Sequence, residues 1–306
     1  MKSRFKFVAP TVVVLFAFVF GRAAAADDDD TPTAKSSATN AAGMTDTRYG
    51  LFDGLDHRSA YTKEVFPEPF LVDDMALEDN EIQLTWLHTK GRGLESDVGT
   101  LEFQKGIGLL TLELQVPYER DVAQELTARG VGNIDLGARY PLYQIVSDDR
   151  MIDATFGAAL EGGIPVQRAV DRNGEVIPQI FNDLKLGDHL TVQSVLGYST
   201  LLGGGDEGGL RTFEYGFSFG YAIEHKTLPL PGVEQFIPMA ELAGETELNK
   251  DDPGQNSLLG DVGFRIKLRT MGEVQPSLGF GWIFPLDNAG RAELHWGVIV
   301  DMIFGF

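Results

Sequence analysis

Glu293-Leu294-His295-Trp296-Gly297-Val298-Ile299-Val300-Asp301-Met302-Ile303-Phe304-Gly305-Phe306 closes the chain, and its alternation decides the fold. Successive side chains of an extended strand point to opposite faces. Leu294, Trp296, Val298, Val300, Met302, Phe304 and Phe306 therefore share one face, opposite Glu293, His295, Gly297, Asp301 and Gly305. The segment is a ribbon with a greasy side and a polar side.

The pattern recurs upstream between turn-rich breaks, which argues strands throughout. Thr212 to Glu224 sets Phe213, Tyr215, Phe217, Phe219, Tyr221 and Ile223 against Thr212, Glu214, Gly216, Ser218, Gly220, Ala222 and Glu224. Leu258 to Arg269 and Val274 to Phe284 follow the same rule, and Ile82 to Thr89, Thr100 to Lys105, Leu110 to Tyr118, Asn133 to Leu142, Met151 to Glu161 and Leu190 to Thr200 follow it less fully. Val176 to Asp183 and Phe236 to Glu245 carry Pro178 and Pro238, each lacking a ladder donor. Both are kept because a chain that goes up and down needs them. The total is then about twelve strands, an even number as single-chain bacterial barrels require. On this register Gly106 to Gly108, Lys185 to Asp188 and Thr270 to Glu273 are short periplasmic turns. Tyr118 to Gly132, Gly162 to Gly174 and Thr246 to Ser257 are longer external loops.

Ahead of the strands, Lys2, Arg4 and Lys6 precede an apolar run from Phe7 to Phe20 and then Ala23 to Ala26. This is the layout of a cleavable export signal spanning 1–26; with Pro10 inside it, the run is too short to cross a bilayer as a helix. Residues 27–80 begin with the acidic run Asp27 to Asp30 and are rich in Thr, Ser, Ala and Pro, so they are expected to form a mostly irregular periplasmic segment. Phe66, Phe70 and Leu71 are an apolar cluster within it that could dock on the barrel mouth. The barrel is expected over 81–306. A net charge of -20 argues against nucleic acid as a partner, and with no cysteine there are neither disulfides nor thiolate sites.

Alternation alone fits a soluble barrel as well as a membrane one. Here the apolar faces are bulky and aromatic while the polar faces are rich in glycine, which suits an all-β transmembrane barrel with an enclosed polar lumen. Aromatics also fall near strand ends, at Tyr118, Tyr140, Tyr143, Tyr198, Tyr221 and Phe306, as interfacial girdles require. In hydrocarbon every backbone polar group needs a partner, so the last strand must pair with the first. The ending Val298, Val300, Met302, Phe304 and Phe306 resembles the C-terminal signal read by the barrel-assembly machinery of Gram-negative outer membranes. That machinery and outer-membrane lipid are the expected partners.

The run Gly130-Val131-Gly132-Asn133-Ile134-Asp135-Leu136-Gly137-Ala138-Arg139-Tyr140 resembles the Gly-x-Gly-Asp strand, with its basic-Tyr ending, of the outer-membrane transporter family of the meta-pathway of phenol degradation. Asn133 stands in place of the usual aspartate. Leu160 to Pro165 occupies the place of that family's Leu-Pro-x-Gly element in altered order, and Leu196-Gly197-Tyr198, Ala240-Glu241-Leu242 and Leu278-Gly279-Phe280-Gly281 match further. The resemblance implies passive transport of small solutes, aromatic or hydrophobic ones among them.

By strand parity the charges expected to line the lumen are Asp135, Arg139, Glu161, Glu214, Glu241, Glu245, Asp261, Arg265, Lys267, Arg269, Glu293, His295 and Asp301. Arg265, Lys267 and Arg269 form a row of three cations that could attract anions, or could neutralise carboxylates in a self-filled interior. The second option makes a structural or surface-interaction barrel with a charge-plugged lumen. No serine elbow flanks His57, His88, His189, His225 or His295, and no two of them stand at ligand spacing on a common face. Neither an enzyme, a metal nor a cofactor is expected.

Overall fold

In a computed structural model the described residues are 44–48, 66–73, 80–107, 109–123, 126–147, 151–167, 170, 173–204, 207–250 and 253–306. The expected export signal, 1–26, lies outside them, as does most of 27–65.

Twelve antiparallel strands form one closed barrel: β1 (Asn80–Gly91), β2 (Leu94–Ile107), β3 (Leu110–Ala123), β4 (Leu126–Val131 continued by Asn133–Ser147), β5 (Ile152–Pro165), β6 (Gly174–Leu186), β7 (Leu190–Leu202), β8 (Arg211–Tyr221 continued by Ile223–Glu224), β9 (Val233–Glu247), β10 (Asn256–Leu268), β11 (Gln275–Pro285) and β12 (Leu294–Gly305). Each strand pairs with its sequence neighbours. Closure comes from β12 against β1, in register from Gly305↔Glu81 to Trp296↔Lys90. The last residue is tied to the first strand as well: the Phe306 amide donates to the Asn80 carbonyl at 2.9 Å, and Asn80 Nδ2 donates to the Phe306 carbonyl at 3.0 Å. A short strand, Met44–Arg48, pairs with the turn end of β4 at Tyr143 to Ser147.

The two prolines that weaken the sequence pattern are absorbed where they stand. Pro178 interrupts the β6–β7 ladder between Val176↔Thr200 and Gln179↔Gly197, and the register resumes unchanged. Pro238 leaves a gap between Gly220↔Met239 and Ile223↔Phe236, which is where β8 breaks at Ala222. Tyr118 to Gly132 is not a loop: β3 runs on to Ala123 and Leu126–Val131 returns against it, level with the β1–β2 hairpin at Leu94 and extending past Pro165 at the end of β5. Leu258–Arg269 and Thr212–Glu224 are strands nearly as their alternation requires.

At the start of the last strand the parity reading fails. A bulge between Leu294 and Trp296 inserts one residue, so Leu294 turns inward and is 2% exposed, while His295 is exposed. Before it, α1 (Asn288–Glu293) caps the loop end of β11, with Asp287 accepting from the Gly290 amide at 2.7 Å.

Outside the barrel, Trp86, Phe103, Phe156, Leu160, Ile180, Leu196, Phe217, Leu242, Val262, Phe280, Trp282 and Val300 are 37% to 59% exposed. Charged and amide side chains are turned in, among them Glu102, Asp135, Glu161, Gln193, Glu241 and Asp301. A soluble barrel has the reverse arrangement; a continuous apolar belt of this size belongs in hydrocarbon. Replacing Val262, outward near mid-strand, by arginine is expected to cost about 2–4 kcal/mol of stability in lipid vesicles, measured by denaturant titration. An unchanged midpoint would mean that this face is wet.

Candidate functional site in the barrel lumen

Residues 66–73, Phe-Pro-Glu-Pro-Phe-Leu-Val-Asp, lie inside the barrel. Sequence left open whether this stretch folds inward. Its prolines and Glu68 carry no apolar pattern of an element, yet Phe66, Glu68 and Val72 are all buried.

Glu241, on β9 and 2% exposed, holds the segment from one side. Its Oε1 accepts from the Phe70 amide at 2.8 Å, and its Oε2 accepts from Leu71 at 2.7 Å and Val72 at 3.3 Å. Ser218 Oγ on β8 adds a donor to Oε1 at 3.4 Å. Short irregular backbone inside a barrel has no ladder to satisfy its N–H groups, and one carboxylate supplies the acceptors for three of them.

Arg265, on β10 and 1% exposed, holds the segment a second way. Its Nη1 and Nη2 form a two-pronged pair with Asp301 of β12 at 3.0 and 2.7 Å, while Nε and Nη2 donate to the Glu68 carbonyl at 3.1 and 2.7 Å. Its guanidinium also sits 5.0 Å from the centre of the Phe70 ring. Gln179 Nε2 of β6 reaches Asp73 at 2.5 Å.

The inner-face glycines make room for these side chains. A Cβ built on Gly279 would stand 2.7 Å from the Phe70 ring, and one on Gly263 3.0 Å from it. Gly216 would meet Val72 at 2.7 Å and Gly220 would meet Pro67 at 2.8 Å. Around this seat the inner wall is apolar, a feature the alternation obscured: Ile237, Met239 and Ala222 pack on Phe70, and so does a second cluster of Leu87, Leu259, Ile283, Leu294 and Ile299. Val72 packs with Ala159, Phe181 and Val195.

The seat is eccentric. On the far side of residues 68–73 a cavity of about 160 Å³ separates them from β1, β2 and β3. Gln83, Thr85, Thr100, Glu102, Glu113 and Gln115 line its wall, with Phe70, Leu71 and Leu87 as its apolar side. Eleven acidic side chains are buried among the described residues against two basic ones, Arg139 and Arg265. Arg139 is bound to Glu113 at 3.3 Å and to Gln104, so both guanidinium groups are engaged.

Of the charges read from parity, Asp135, Arg139, Glu161, Glu241, Asp261, Arg265 and Asp301 are buried on the inner wall. Glu214 and Glu245 face each other across β8 and β9 and are half-buried towards the loop end. Glu293 ends α1 and meets Ser257 Oγ at 3.5 Å. The row of three cations does not exist as a lumen ladder: Lys267 is half-buried near the turn, Arg269 is exposed beyond the end of β10, and Arg265 is consumed by Asp301 and Glu68. His295 sits at the bulge, exposed. Glu102, Glu113 and Glu175 escaped the sequence reading, although the alternation of Leu112, Leu114 and Val116 points Glu113 inward. Val300, Met302 and Phe306 of the C-terminal pattern are exposed on the outer face, while Val298 and Phe304 are half-exposed.

One arrangement on the outer face crosses strands and was not visible in spacing. His88, Glu95 and Asp97 bring a ligand atom each within 4.8 Å of one another. Arg120 Nη1 already lies 2.8 Å from Asp97, and Lys90 Nζ lies 3.9 Å from Glu95.

Glu241→Ala removes the shared acceptor and leaves three amides to find water, so residues 66–73 should detach. Faster proteolysis or hydrogen exchange at 66–73 is the expected outcome, with the heat-modifiable migration of the barrel retained. Protection equal to that of the parent would contradict the assignment.

No protein-family model matches this sequence, and no curated protein matches it. Among solved structures the chain is similar to an outer membrane channel from Pseudomonas putida F1, with a TM-score of 0.53 and 16% identity over 79% of this chain and 100% of that one. It also aligns with the NanC porin, at TM-score 0.43 and 8% identity over 74% of this chain and 98% of the other. For the KdgM porin the values are 0.38 and 12%, over 74% and 99%. The first likeness is one of fold, the twelve-stranded outer-membrane barrel.

Proposed function

We propose that this protein is a Gram-negative outer-membrane channel for passive passage of small solutes, with its lumen narrowed by its own residues 66–73. The observation that carries the proposal is the cavity between that segment and the β1–β3 wall, inside a closed barrel whose exterior is apolar. Passage needs no cofactor and no covalent step. The Pseudomonas putida channel, similar in fold, and the resemblance of Gly130 to Tyr140 to the phenol meta-pathway transporters both support a transport role. The cavity offers polar groups together with the apolar side chains of Phe70, Leu71 and Leu87, which accommodates solutes with an apolar part. On this reading residues 1–26 are a cleaved export signal, the stretch before Phe66 stays periplasmic, and the C-terminal pattern serves assembly.

The lumen charge sets a sign. With eleven buried acids against two engaged arginines, the field inside favours cations over anions. In planar bilayers under a salt gradient the reversal potential should report cation preference, and Glu102→Gln with Glu113→Gln should reduce it. Glu241→Ala should raise single-channel conductance by opening the seat of residues 66–73. A folded barrel with neither conductance nor solute uptake in liposomes would overturn the proposal.

The double hold by Glu241 and Arg265 favours a second reading, a structural barrel kept shut by its own chain. Glu241→Ala separates the two: a channel conducts before the substitution and more after it, whereas a shut barrel conducts only after it.

A further inference from the structure

The outer face carries a feature that passage through the lumen does not use. Across the loop ends of β1 to β4 the register aligns His88, Asp97, Arg120 and Arg129 in one transverse row, and cross-strand partners share a face. Like charges directly opposite each other are unfavourable, yet Arg120 faces Arg129. Of the two arginines Arg120 is matched to an acid within the row, at 2.8 Å from Asp97, which also meets His88 Nδ1 at 2.9 Å. Arg129 is exposed. Lys90 and Arg92, both exposed, stand just above in a protein whose net charge is -20.

Beside this row stand all three tryptophans of the chain, on β1, β11 and β12. Trp282 stacks on Trp296 at 5.3 Å and 6°, Trp296 lies 5.3 Å from His88, and His88 lies 5.9 Å from Trp86. Trp86 and Trp282 are 47% and 41% exposed. Amphipathic rings of this kind sit at the level of lipid headgroups, with the acyl chains below. His88, in contact with Trp86 and Trp296, joins this ring cluster to the row that carries the two arginines.

We infer that this sector binds the phosphorylated headgroup of an outer-leaflet glycolipid of the lipid A type. Arg120 and Arg129 take a phosphate between them, Lys90 adds a further positive charge, and the tryptophan rings lie against the sugar and the first acyl carbons. A phosphate bridging the two guanidinium groups removes their mutual repulsion and is the bidentate acceptor that arginine suits. The inference rests on the outer-membrane placement proposed above but not on conduction, so a barrel that passes no current leaves it intact.

Native mass spectrometry of the full chain in detergent, titrated with phosphorylated lipid A and with the same glycolipid dephosphorylated, tests it. The phosphorylated form should be retained and the dephosphorylated form lost. Arg120→Ser with Arg129→Ser should weaken retention about tenfold or more. Arg129→Gln alone, at an exposed position, should weaken it in the same direction and covers the case in which the double variant does not fold. Lys226→Ser, in a turn at the opposite end of the barrel, should change nothing. Equal retention of both lipids would overturn the inference, as would undiminished binding by the arginine variants or full displacement by inorganic phosphate at the same concentration. Retention that needs added calcium and survives loss of the arginines would also overturn it, assigning the site to His88, Glu95 and Asp97 instead.

Discussion

Everything in this molecule depends on the pairing of the last strand with the first. Apolar side chains cover the outside of the barrel, so no water is there to meet an open sheet edge, and each unpaired backbone group would cost several kcal/mol. The continuous register from Gly305↔Glu81 to Trp296↔Lys90, and the two bonds between Asn80 and Phe306, remove that edge. Once closure is required, the up-and-down order, the even strand number and the retention of proline-bearing strands follow from it.

Closure also creates an interior, and the interior has its own accounting. Buried carboxylates and amides need donors, and a stretch of irregular backbone needs acceptors. Residues 66–73 and the wall satisfy each other: Glu241 takes three amides, Arg265 meets a carbonyl and a carboxylate, and glycines on β8, β10 and β11 leave space for Val72, Pro67 and Phe70. The glycine-rich inner face is thus the complement of a particular inserted segment. Because the segment is bound to one wall, the opposite wall keeps its polar side chains facing a cavity.

The fold was legible in the sequence because a strand period of two is local, and Thr212 to Glu224 shows it without any neighbour. Strand number came from parity, a global constraint, and survived two prolines because a missing donor interrupts a ladder without shifting its register. The site was legible only in part. Parity points Asp135, Glu161, Glu241 and Asp261 inward, and all four are buried, but it fails wherever a residue is inserted, as at the bulge that exposes His295 and buries Leu294. It also says nothing about partners. That Glu241 would bind amides of residues 70–72, 169 or more positions away, is a product of closure and has no signature in either stretch.

Passage of solutes between residues 66–73 and the β1–β3 wall, as proposed, can be measured directly because the chain has no cysteine. Single cysteines can be placed at Gln115, on the cavity wall, and at Ser218, behind the seat of residues 66–73, and exposed to a charged thiol reagent while current is recorded. The reagent should cut the current through the Gln115→Cys barrel and leave the Ser218→Cys barrel unchanged. Block at Ser218→Cys with none at Gln115→Cys would contradict this route of passage.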